Sequence, residues 1–279
     1  MTTATMTMQL PATYLFVPGN RPERFAKALA SGADRIIIDL EDAVAPADKT
    51  EARQAIVDWM KGCDARQELI LIRINDAATL WYADDLALAK AVKATCVMLP
   101  KCEAASQVAD VLGEMPPGTT ILPLIETARG MIALQQIAGA AGVTRLAFGS
   151  LDYMADLDIP AGSPALEFAA AQIAVASRAA GIASPVAGVT PDLDATRVSA
   201  DMKEARALGF GAKMCIHPSQ IAAVRAGLAP TTVELDWAQR VLQAWAASTG
   251  GAIQLDGKMV DRPVILKAKR IVAWTTRST

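Results

Sequence analysis

Short apolar runs alternate with amphipathic stretches along residues 1–230, with little linker between them, and this alternation limits the folds open to the chain. The apolar runs are Tyr14–Gly19, Arg35–Leu40, Leu69–Ile74, Cys96–Leu99, Ile121–Ile125, Arg145–Phe148, Pro185–Val189 and Lys213–Ile216. Helical patterns follow them: one from near Pro22, then Lys49–Lys61, Asp84–Lys93, Ala104–Glu114, Thr127–Ile137, Pro164–Ala180, Ala195–Leu208 and Ile221–Ala226. The strands are continuously apolar, as expected when helices cover both faces of a parallel sheet. A doubly wound open sheet competes, but it more often carries a glycine-rich phosphate loop after its first strand, and no GxGxxG occurs here. The expected fold is therefore α/β, a (β/α)8 TIM barrel over 1–230. Beyond Pro230 the pattern changes to a helix, Thr231–Ser248, with Thr231 or Thr232 as N-cap and Glu234 near its positive end. A loop, GGAIQLDGKMVDRP, and a last basic helix, Val264–Trp274, complete this C-terminal helical tail, 231–279. The tail reads as a lid, an arm that packs on a neighbouring subunit, or both.

Hydrophobic residues at 52% supply a sizeable core, and a net charge of −2 with mixed signs argues against a nucleic-acid or membrane-surface binder. The four cysteines form no CxxC pair, so they read as reduced and structural in a cytoplasmic protein. The N-terminus MTTATMTMQL lacks the basic and apolar regions of a signal peptide, and no run reaches the about 18 apolar residues that span a membrane.

The polar residues fall at one end of every strand. The strands close in PGNR, DLED, RIN, PK, IET, GSLD, TPD and IHPSQ. In a barrel this end carries the active site. For Thr190, Asp192 and Ser219 the plain reading is a turn or cap, Asp192 serving equally well as cap or ligand. Arg73 lies between Ile72 and Ile74, and an arginine inside an apolar strand must meet an anion, from substrate or protein. Glu126 is either a helix-start carboxylate or a ligand, and Asp152 either a turn residue after Gly149 or a ligand. Together these two offer oxygen-only ligation that suits Mg2+ rather than zinc, which one histidine and no paired thiols cannot hold. His217, the only histidine, serves as wall or hydrogen-bonding group as readily as base.

Eight motifs occur in order over nearly the whole chain: LFVPGNRPERFAKA, DRIIIDLEDAVAPADKTEAR, IRIN, MLPK, PLIETARG, FGSLDY, GFGAKMCIHPSQ and GKMVDRP. In these the sequence resembles the citrate lyase beta-subunit-like CoA ester lyases of the HpcH/HpaI aldolase superfamily, a group with malyl-CoA and citramalyl-CoA lyases. The resemblance implies a barrel, Mg2+ held by Glu126 and Asp152, and Arg73 on the acid or carbonyl end of the substrate. It places Lys27 near the CoA part, and the Phe16–Asn20 backbone, with Asn20, and the Met214–Cys215 segment along the thioester channel. It makes Asp261, in GKMVD, the acid/base residue, delivered to the barrel of a neighbouring subunit in a homotrimer or hexamer. The implied activity is retro-Claisen cleavage of a 3-hydroxyacyl-CoA to acetyl-CoA and a 2-keto acid. A malyl-CoA thioesterase, a malate-synthase-like enzyme and a citrate lyase beta subunit working on an acyl carrier remain open. Asp39, Glu41, Asp42 and Lys101 are then expected around the metal site, where Asp39 faces the mouth or packs on Arg73. Glu41 and Asp42 would orient metal-bound waters or Lys101, or else form an ion-pair network that stiffens the mouth.

Overall fold

Eight parallel strands close into a barrel in chain order. They are β1 (Thr13–Pro18), β2 (Arg35–Asp39), β3 (Ile70–Arg73), β4 (Cys96–Leu99), β5 (Thr120–Ile125), β6 (Ala147–Phe148), β7 (Val186–Ala187) and β8 (Ala212–Cys215). This computed structural model describes residues 10–62, 64–248 and 253–275; the expectations for the N-terminal segment 1–9, for Cys63 and for the first residues of the GGAIQLDGKMVDRP loop lie outside the described residues. The chain divides into two compact units, the barrel over Leu10–Leu228 and a second unit from Ala229 onward. The fold is the expected (β/α)8 TIM barrel.

The side-chain alternation of the strands explains both core and mouth. In β2, Ile37 joins Tyr14, Leu71, Met98, Leu122 and Met214 in the barrel interior. Ile36 and Ile38, out of phase with it, are also fully buried and face the outer helices. Two residues on from interior Ile37 stands Asp39, two on from Leu71 stands Arg73, and two on from Leu124 stands Glu126. The interior row thus turns polar at the C-terminal end of the sheet, and the register sets Asp39 directly opposite Arg73. At the other end Arg145 lies 5.7 Å over the Tyr14 ring and donates to the carbonyls of Pro11 and Ser184, which seals the floor.

Three expectations are corrected. The helix expected over Thr127–Ile137 is two pieces, Ala128–Ile132 and Leu134–Ala138, meeting at Ala133. Asp152 is not a turn residue: β6 is only two residues long, and the helix Ser150–Leu157 starts at once with Asp152 in its first turn, where the macrodipole favours an acid. In the second unit, part of the expected loop is a hairpin, β9 (Ile253–Leu255) and β10 (Lys258–Val260). Asp256 and Gly257 supply the two positive φ values, 51° and 73°, that its two-residue turn needs. The helix Thr232–Ala246 has the Thr231 cap and a reciprocal Glu234 hydrogen bond. With the helix Arg262–Thr275 it buries Ala238, Val241, Ile265 and Ala268 together with Val260 of the hairpin.

Helices Ala195–Ala207 and Gln220–Leu228 approach closely at Gly227, where an added Cβ would stand 2.7 Å from both the Met202 Cβ and the Ser199 carbonyl oxygen. Gly227→Ala should therefore destabilise the barrel by about 1–3 kcal/mol through overpacking, against its better helix propensity. Urea unfolding measures this, and a stabilised variant would contradict the packing account.

Candidate active site at the barrel mouth

Arg73 is the centre of the mouth. Its Nε and Nη2 donate to the two carboxylate oxygens of Asp39 at 2.7 and 2.6 Å, a bidentate pair between buried side chains. The Asp39 carboxylate also accepts the backbone N–H groups of Glu41 and Ala43, so the turn after β2 is built around it. Arg73 Nη1 lies 2.8 Å from Glu41 Oε2 and 3.7 Å from Asp42, and the guanidinium stacks 4.9 Å from the Phe16 ring centroid. Of the two anions the sequence allowed for Arg73, the protein supplies one itself. Glu41 is drawn the other way by Lys101 Nζ, 3.0 Å from its Oε1.

Lys101 ties this network to Glu126. Its backbone N–H donates to Glu126 Oε1 at 2.7 Å. To do so it adopts φ 43°, a left-handed conformation that costs a non-glycine residue about 1–3 kcal/mol and persists only where its surroundings impose it. Glu126 is 2% exposed. Gly149 lies against it so closely that a Cβ there would fall 2.4 Å from Glu126 Oε2, so only glycine leaves the carboxylate its place. A cavity of about 390 Å3 opens beside these groups. Asp39, Asp42, Arg73, Glu126 and Asp152 give it polar walls, and Phe16, Leu124, Val189, Met214 and Ile216 give it apolar ones.

The electrostatics of the two sides differ. On the Arg73 side, burial disfavours the cation, but Asp39, Glu41 and Asp42 outweigh it and hold the guanidinium charged. On the Glu126 side, burial pushes the carboxyl up to about 8; Glu41 and Asp152 push the same way, and the Lys101 amide opposes them. Burial likewise raises the Glu41 carboxyl in spite of Arg73 and Lys101. Glu41 Oε2 has no aligned hydrogen bond among the described residues, for the Arg73 contact satisfies distance alone. Arg73 opposes the rise of Glu126 as well, but together with the Lys101 amide it offsets burial and the neighbouring carboxylates only in part. Glu126 and Asp152 therefore fit a hard divalent cation, with Mg2+ suited to a site of two carboxylates completed by water or substrate oxygens.

The remaining sequence candidates sit as follows. Met214 lines the cavity, whereas Cys215 is fully buried, its thiol 4.0 Å from the Lys213 carbonyl and pushed up to about 12 by burial. Lys27 is exposed on the helix Phe25–Leu29, and Asn20 hydrogen-bonds Asp48 at 3.3 Å; neither is part of the cavity wall. His217 is exposed, with Nδ1 2.8 Å from Ser219 Oγ. Thr190 donates to Asp201, and Asp192 accepts the Asp194 N–H in a turn while Asp194 caps the next helix, so Asp192 is not the cap. Asp261 belongs to the second unit, where its Oδ1 accepts the Val264 N–H at the start of the helix Arg262–Thr275. Sequence reasoning missed Lys49, Asn75 and Asp85, all buried behind the turn that carries Glu41.

The C-terminal mouth of a closed (β/α)8 barrel, the end that carries the active site in barrel enzymes, thus brings two carboxylates and a buried arginine to one cavity. Comparison gives the family: residues 12–218 match the model of the HpcH/HpaI aldolase/citrate lyase family, and the chain belongs to that family. It is 37% identical to a citrate lyase subunit beta-like protein of Mycobacterium tuberculosis over 95% of this chain and 96% of that one. It is 30% identical to a (3S)-malyl-CoA thioesterase of Cereibacter sphaeroides, over 93% and 92% of the two chains. Among solved structures, it superposes with a TM-score of 0.86 on the CitE protein of Mycobacterium tuberculosis in complex with magnesium, acetoacetate and coenzyme A, at 35% identity over 95% of this chain and 98% of that one.

Removing the Asp39 charge while keeping its shape leaves buried Arg73 with Glu41 at 2.8 Å and the more exposed Asp42 at 3.7 Å. Asp39→Asn should cost about 3 kcal/mol, the low end for breaking a buried pair. Denaturant unfolding checks it; a loss below about 1 kcal/mol would mean that the pair is dispensable.

Proposed function

We propose that the protein is a Mg2+-dependent carbon–carbon lyase that cleaves a 3-hydroxyacyl-CoA of the malyl-CoA or citramalyl-CoA type to acetyl-CoA and a 2-keto acid. One observation carries this reading: a buried carboxylate, Glu126, short of positive charge, shares a mostly apolar cavity with Asp152 and a fixed Arg73 guanidinium. The magnesium and coenzyme A of the related CitE complex support it, as does the cavity volume, which lies in the range of small-ligand sites.

In this reading Glu126 and Asp152 hold the ion, which when bound supplies Lewis-acid stabilisation of negative charge on substrate oxygen. The Lys101 amide holds Glu126 in orientation, and Asp39 holds Arg73 flat against Phe16 with its cationic face on the cavity. Arg73 then offers preorganised positive charge to the acid end of the substrate, in a site where little water screens it. Phe16, Leu124, Val189 and Met214 exclude water from the carbon skeleton. Cleavage passes the substrate's hydroxyl proton to solvent water at the open mouth, turns the hydroxyl carbon into the carbonyl of the keto acid, breaks the carbon–carbon bond and leaves its electron pair on the thioester as an enolate. Asp261 in its acid form, from a neighbouring subunit of a trimer or hexamer, gives its proton to that carbon and is reprotonated from solvent, so the cycle leaves the proton count unchanged. Lys27 and Asn20 serve the CoA portion outside the cavity.

A second reading is thioester hydrolysis, favoured by the similarity to the (3S)-malyl-CoA thioesterase. A product assay separates the two. With Mg2+ and either malyl-CoA or citramalyl-CoA, acetyl-CoA and glyoxylate or pyruvate should form in equal amounts, and EDTA should abolish them. Glu126→Gln should lower kcat/KM by about 100-fold or more, as loss of a transition-state contact does. Free CoA without keto acid would establish the thioesterase, and no turnover of either ester would overturn the lyase reading.

A further inference from the structure

The turn after β2 is gripped from behind by a buried ammonium that touches neither the cavity nor the substrate side of the mouth. Lys49, the first residue of the helix Lys49–Met60, is 4% exposed. Its Nζ donates to the Leu40 carbonyl at 2.7 Å, the Glu41 carbonyl at 3.0 Å and Asn75 Oδ1 at 2.7 Å, which uses all three of its donors. The same nitrogen stands 4.7 Å from the centre of the Trp81 ring. Asn75 in turn donates to the Leu40 carbonyl at 2.9 Å and to Asp85 at 2.6 Å, and Arg53 pairs with the far oxygen of Asp85 at 2.9 Å.

Two features separate Lys49 from an ordinary structural ion. First, the carbonyls it holds belong to Leu40 and Glu41, and Glu41 links Arg73 to Lys101, whose amide orients Glu126. A shift of this turn would therefore reach both sides of the cavity. Second, the fold depends on it only in part. If Lys49 is lost, the Leu40 carbonyl keeps Asn75, the Glu41 carbonyl keeps the Val44 N–H and Asp85 keeps Arg53, while buried Asn75 Oδ1 gives up its donor. Removing Lys49 leaves no buried charge alone, whereas removing Arg53 leaves the fully buried Asp85 without its ion-pair partner.

We propose that Lys49 is a positioning residue for the mouth: with Asn75 it fixes the Leu40–Ala43 turn so that Glu41 holds Arg73 and Lys101 in register. Its effect on turnover rests on the lyase reading above, while its effect on Glu41 does not.

The test compares Lys49→Met with Gly227→Ala, the overpacked variant of the helices Ala195–Ala207 and Gln220–Leu228, in the full-length protein. Lys49→Met should lower kcat on malyl-CoA or citramalyl-CoA by about 10–100-fold, the range for lost supporting contacts around a site. Gly227→Ala should lose Tm as well but keep kcat within about threefold of wild type, since its strain lies between two helices and touches none of the groups that hold the turn. A crystal structure of Lys49→Met should show the Glu41 carboxylate displaced from Lys101 Nζ. Losses of kcat that merely follow Tm across the two variants, or Glu41 still within hydrogen-bond reach of Lys101, would overturn the proposal. Should wild type turn over neither ester, the lyase reading fails, and the Glu41 position in the crystal still decides this one. If Lys49→Met does not fold, Lys49→Gln serves in the same comparison.

Discussion

The buried pair of Asp39 and Arg73 is the constraint on which the mouth depends. Strand register places the two residues opposite one another, and period-two alternation turns both toward the barrel interior. A guanidinium there must be paired or be destructive. Asp39 satisfies two of its donors and, with its remaining capacity, the N–H groups that begin the next turn. That turn delivers Glu41, which engages Lys101, whose amide reaches Glu126. One ion pair thus sets the positions of groups from four consecutive strand ends.

The same chain of contacts divides the cavity by charge. Arg73 is more than compensated by Asp39, Glu41 and Asp42, while Glu126 and Asp152 line the same cavity and the Lys101 amide and Arg73 offset the burial of Glu126 only in part. Such a division is costly to stability and useful for chemistry. A divalent ion or a substrate that completes the acidic side meets a site already oriented, and little reorganisation accompanies reaction.

Much of this was legible in the sequence for physical reasons. Parallel strands buried on both faces read as continuous apolar runs, so all eight were found within a residue or two of their bounds, and polar residues at strand ends marked Asp39, Glu41, Arg73, Lys101 and Glu126 as neighbours in the mouth. Other features were not legible. Whether Arg73 met a protein carboxylate or a substrate depended on register, which no single strand encodes. The helix Ser150–Leu157 was hidden by the two-residue length of β6. The hairpin at Asp256–Gly257 did carry its signal, since an Asp-Gly pair between two short runs, IQL and KMV, is a strong turn mark. Lys49 stands at the start of a helix in a charged stretch, DKTEAR, where a solvated side chain is the ordinary outcome; only the tertiary structure shows its ammonium buried.

The most direct test is a thermal melt of wild type and Glu126→Gln, each with and without Mg2+. If the acidic side of the cavity is held short of a cation, wild type should gain Tm with Mg2+ by mass action, and Glu126→Gln should gain almost nothing. In EDTA the variant should melt close to wild type, because burial already favours the neutral form of Glu126 at neutral pH and the amide replaces one uncharged group by another. An equal Mg2+ gain in both proteins, or a variant much less stable in EDTA, would contradict the account.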